Sequence, residues 1–89
     1  MSLGLAISQV AFYTGKRETA ASNIREIEMQ LTQAVRDKND IRQAELQEQL
    51  TKEQILFGLY KNFVEFWTDV IKSTLELLKK ISELAFAGR

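Results

Sequence analysis

The chain has 89 residues, 12 Lys and Arg against 12 Asp and Glu, and no Pro, Cys or His. That composition bounds it to one domain, removes disulfides, thiol nucleophiles and Cys-ligated zinc, and takes away the commonest metal ligand and general base. A zero formal charge with a pI near 6.3 also argues against a nucleic-acid partner, because phosphate-binding domains usually carry a basic face.

Abundant Glu, Gln, Leu, Lys and Ala predict an all-α fold, read as a helical hairpin or a three-helix unit of one domain spanning 1–89. The first helix is expected over about 3–14. Leu3, Ala6 or Ile7, Val10 and Tyr13 recur at helical spacing there, and Gly15 reads as a stop. The second is expected over about 18–36, where Ala20, Ile24, Ile27, Leu31 and Ala34 follow the 4-3 spacing of a narrow coiled-coil seam. Asp37-Lys38-Asn39-Asp40 then breaks the register and predicts a turn, with Asp40 and Gln43 spaced as a capping box. One unbroken helix through Lys38 is the alternative, the break being a stutter.

The third helix is expected over about 41–86 and is the most informative. Leu46, Leu50, Phe57, Tyr60, Val64, Trp67, Ile71, Leu78, Ile81 and Ala85 form one stripe, interrupted by Glu53 and Thr74. Leu56, Leu59, Phe63, Phe66, Val70, Leu77 and Leu84 form a second stripe beside it. Of the 32 residues from Ile55 to Phe86, 18 are apolar, so this face is too wide for the shorter, narrower second segment to cover. Opposite it, Lys61, Glu65, Asp69, Lys72, Glu76, Lys79, Lys80 and Glu83 recur about every four residues, which excludes a transmembrane span. Their even mix of signs is also unlike a membrane-surface helix.

Chemistry-bearing motifs are absent from this reading. Thr14-Gly15-Lys16-Arg17 lacks the earlier glycine of a phosphate-binding loop, since Val10 stands at that position. Glu26/Glu28, Asp37/Asp40 and Glu45/Glu48 lie in polar segments where nothing would raise a carboxylate pKa. Ser8, Ser22, Ser73 and Ser82 have no histidine base. No catalytic residue, metal site or cofactor is expected. Residues 1–15 carry no charge and so lack the basic start of a secretory signal. Cytoplasmic residence and export without a cleaved signal both fit.

From Leu31 onward, an amphipathic helix, a polar turn and a long helix carrying Leu59-Tyr60-Lys61-Asn62 resemble type III secretion needle and related filament subunits. These are cysteine-free helical hairpins whose second helix bears a Leu-Tyr-Arg-Asn-like segment. The proline-bearing turn of that family is replaced here by Asp37-Lys38-Asn39-Asp40. The resemblance implies a secreted, polymerising subunit. The residues themselves predict a non-enzymatic helical assembly protein that self-associates through Phe57, Tyr60, Phe63, Val64, Trp67, Ile71 and Leu78, because large aromatic and aliphatic anchors supply most interface energy. The alternative is a small adaptor or chaperone offering the same face to a helix of another protein.

Overall fold

In a computed structural model, which describes residues 2–88, the chain is an extended hairpin of two helices, α1 (Leu3–Arg36) and α2 (Asp40–Ala87). It measures 76 × 16 × 14 Å. The expected break at Gly15 does not occur, and the first two expected helices are one. The reason lies in the seam: Leu3, Ala6, Val10 and Tyr13 run on through Arg17 and Ala20 to Ile24, Ile27, Leu31 and Ala34 without losing the 3.5-residue period. Gly15 falls on the outward side of that seam, with open space around its Cα. A glycine there costs a helix about 1 kcal/mol, which continuous packing on both sides outweighs.

The turn is real and tight. Lys38 takes a left-handed backbone conformation, φ 54°. That lets the Lys38 N–H donate to the Val35 carbonyl at 3.1 Å and the Asn39 N–H to the Ala34 carbonyl at 3.0 Å. These two bonds close a Schellman motif on the last carbonyls of α1. The expected capping box of Asp40 and Gln43 does not form, and the N-cap falls one residue earlier. Asn39, not Asp40, caps α2, its side-chain oxygen accepting from the Arg42 N–H at 3.0 Å. Gln43 turns the other way, its amide donating to the Ala34 carbonyl at 3.4 Å. Asn39 therefore ends one helix through its backbone and starts the next through its side chain.

The core sits beside this turn. Ile27, Ala34, Leu46 and Leu50 are buried together, with Ile24 and Leu31 packed against them. Ala6, Ala20 and Ala34 are also buried, and small residues at seam positions let the helix backbones approach. On α2 the stripe turned toward α1 is Leu46, Leu50, Glu53, Phe57, Tyr60, Val64, Trp67, Ile71 and Thr74, every one buried or half-buried. Following this register to the start of α1 puts Leu3 level with Thr74. Beyond that level α2 runs on alone for about 20 Å, over residues 75–87. Throughout this overhang every residue is exposed.

Candidate protein-interaction surface

Two apolar surfaces remain after the hairpin has closed. The first is the overhang, where the seam continues as Leu78 and Ile81 past the end of α1, 51% and 54% exposed. The second runs along one side of the hairpin. Leu56, Phe63, Val70, Leu77 and Leu84 recur every seven residues, each one position before a seam residue, and Leu59 and Phe66 fill the gaps between them. Seven-residue recurrence keeps them on one side of a helix that supercoils about its partner. Phe66 is 55% and Leu77 58% exposed.

Aromatic contacts show that α1 contributes to the same side. Tyr13 reaches across the seam to Tyr60, ring centroids 6.2 Å apart and stacked, and to Phe63 at 4.8 Å. Phe12 packs edge-on against Tyr13 at 5.1 Å and is itself 55% exposed. The Lys16 ammonium sits 5.5 Å from the Phe12 ring centre, within cation–π range. Tyr13, Asn62, Phe63, Phe66 and Trp67 line an open groove of about 480 Å³. Phe66 and Trp67 meet edge to face there at 5.2 Å.

Five of the seven residues predicted for association, Phe57, Tyr60, Val64, Trp67 and Ile71, lie on the stripe turned toward α1 and are half-buried there. Phe63 lies on the outer row, in contact with Tyr13, and Leu78 lies on the overhang. The residues that stand out on the outer side are instead Leu59, Phe66, Leu77 and Leu84. Their signal was the second stripe, but the aromatic weight of the first drew the assignment toward the seam that the hairpin consumes.

A second concavity has a mixed lining that includes Lys16, Glu53, Leu56 and Tyr60. A depression at the turn is lined by Gln30, Gln33, Asp37, Asn39 and Arg42, and these side chains already bind one another. The Arg42 guanidinium donates to Gln30 at 3.1 Å, and the Gln33 amide to Asp37 at 3.0 Å. Among the described residues, no three of His, Cys, Asp or Glu converge to hold a metal ion. No described helix is long and apolar enough to cross a membrane. Comparison with known protein families, curated proteins and solved structures gives no match for this chain.

Proposed function

We propose that this hairpin is a non-enzymatic assembly module that associates with copies of itself through the outer side and the overhang of α2. The observation that carries this is the row Leu59, Phe66, Leu77 and Leu84, each 44% exposed or more, with no further helix among the described residues to cover it. Contiguous apolar surface of this kind marks interaction sites. Lys61, Glu65, Asp69 and Lys72 are exposed away from this row, and Lys80 is the ionisable residue that shares the gap positions of Leu59 and Phe66.

The test is absolute mass by light scattering behind a sizing column, across a hundredfold range of concentration. Mass above 10.2 kDa that rises to a plateau supports a closed oligomer. Growth without limit supports an open polymer, the behaviour of the secretion-filament subunits that Leu59-Tyr60-Lys61-Asn62 resembles. A constant 10.2 kDa rejects self-association and favours the second reading, an adaptor whose groove at Tyr13, Phe66 and Trp67 takes an apolar side chain of another protein's helix.

A further inference from the structure

We infer that the overhang of α2, residues 75–87, docks on the surface of a phospholipid bilayer, its apolar side sunk among the headgroups and its charged side in water. This goes beyond the assembly reading above and is independent of it. Self-association then rests on the outer side beside α1, at Leu59 and Phe66, and the overhang takes a different occupant. Three features of the molecule select that occupant.

The first is the placement of charge. At about 100° per residue, the four ionisable side chains of residues 75–87 fall within about 100° of the helix circumference, in the order Lys79, Glu83, Glu76, Lys80. The acids hold the middle of that arc and a lysine holds each edge. Lys79 is flanked by Leu75 and Phe86, and Lys80 by Leu77 and Leu84, so both lysines stand at the boundary of the uncharged side. A lysine at such a boundary lays its methylene stem along apolar surface and lifts its ammonium clear of it. At a bilayer surface the ammonium meets lipid phosphates, while Glu76 and Glu83 face water. The even mix of signs counted along the whole of α2 hides this order, because a count does not place the charges.

The second is width. The rest of the circumference, about 260°, holds Ser82 and otherwise apolar residues. A helix that packs on one neighbour buries a stripe of roughly 100°, so a single partner helix would leave more than half of this arc in water. A helix about 10 Å across that sinks about 5–10 Å into the headgroup boundary is covered over half its circumference or more. A dry protein partner on the side of Leu77 and Leu84 would also strip water from the Lys80 ammonium, which a phosphate layer does not.

The third is a polarity along the rod. Residues 2–15 carry no ionisable side chain, and Leu5 and Ile7, beside the base of the overhang, are 46% and 53% exposed. The opposite end, at the turn, exposes Asp37, Lys38, Asp40 and Arg42. One end of the molecule therefore suits lipid contact and the other suits water. Within the overhang Lys79 and Lys80 balance Glu76 and Glu83, so apolar burial drives the contact and anionic lipid is not required.

The test is flotation of the full chain with phosphatidylcholine vesicles, with and without added phosphatidylserine. Single thiols introduced into the cysteine-free chain as Ala85→Cys and Glu76→Cys, on opposite sides of the overhang, carry an environment-sensitive fluorophore. The expected result is binding to both kinds of vesicle, little changed by salt, with a blue shift of the label at 85 and none at 76. A double variant, Lys80→Glu with Glu83→Lys, keeps the net charge and every apolar residue, and it changes exposed positions outside the hairpin core. It is expected to retain helical content and bind vesicles about tenfold more weakly. Absence of flotation, flotation with the anionic vesicles alone, equal binding by the double variant, or equal shifts from both labels each overturns the inference. An oligomer that stays off vesicles overturns it and leaves self-association standing, whereas a 10.2 kDa monomer that floats as expected supports it and rejects self-association.

Discussion

The Tyr13 ring lies 4.8 Å, centroid to centroid, from the ring of Phe63, and this contact ties the far half of α1 to α2 well away from the core at the turn. Between the two regions the seam carries Arg17 and Glu53, both half-buried, and neither contributes what an aliphatic pair would. The aromatic contact therefore acts as a second clamp. Replacing Tyr13 by Ala is expected to destabilise the hairpin by about 1–3 kcal/mol, the loss of a half-buried ring together with its aromatic pairing. Urea unfolding at one fixed protein concentration reads this, because association would otherwise move the midpoint. Amide exchange should quicken in residues 3–16 and stay slow around Ile27.

Lys38 holds a left-handed conformation that costs a residue with a Cβ about 1–2 kcal/mol, and no side-chain contact of Lys38 offsets it. Lys38→Gly should raise stability by about 1 kcal/mol. Asn39→Ala should lower it by a similar amount, since the capping bond to Arg42 is lost. Thermal melts of the two variants should move in opposite directions. Equal destabilisation by both would mean that the Lys38 side chain holds the turn.

Leu46 is fully buried while Leu78 is 51% exposed, though both lie on one stripe. Leu46→Ala is expected to cost about 2–5 kcal/mol at any concentration. Leu78→Ala should cost under about 1 kcal/mol in dilute monomer. Comparing denaturation midpoints of the pair at low and high protein concentration separates residues that hold the hairpin from residues that wait for a partner.

Much of this was legible in the residues. The all-α class, the break near Asp37 and the four-three stripe along α2 follow from periodicity and turn chemistry, which act locally. Two things were not legible. Gly15 followed by Lys16-Arg17 reads as a helix end because glycine and charge weaken helix locally, and only the unbroken seam facing α2 shows why the helix continues. The division of α2's wide face between an inner and an outer stripe likewise depends on which one α1 meets. That choice is set by the turn geometry at Lys38 and Asn39, outside the stripe itself.

Gly15 is exposed and Gly58 half-buried, and neither has anything within 4 Å of an added Cβ. Gly15→Ala and Gly58→Ala should each stabilise by about 0.5–1 kcal/mol, additively, since the sites share no partner. A loss of stability in Gly58→Ala alone would place another surface against that position in the assembled state.

The unbroken 3.5-residue period of the seam has a geometric corollary for whatever meets the outer row. Two helices held in contact along such a seam wind about each other with a pitch of about 150 Å, so a row beside the seam turns through about a quarter of a circle over the 38 Å between Leu59 and Leu84. A flat surface touches such a row at one end or at the other but not along its length. A companion must coil with it, and a rod of the same sequence has the same pitch and hand already built in.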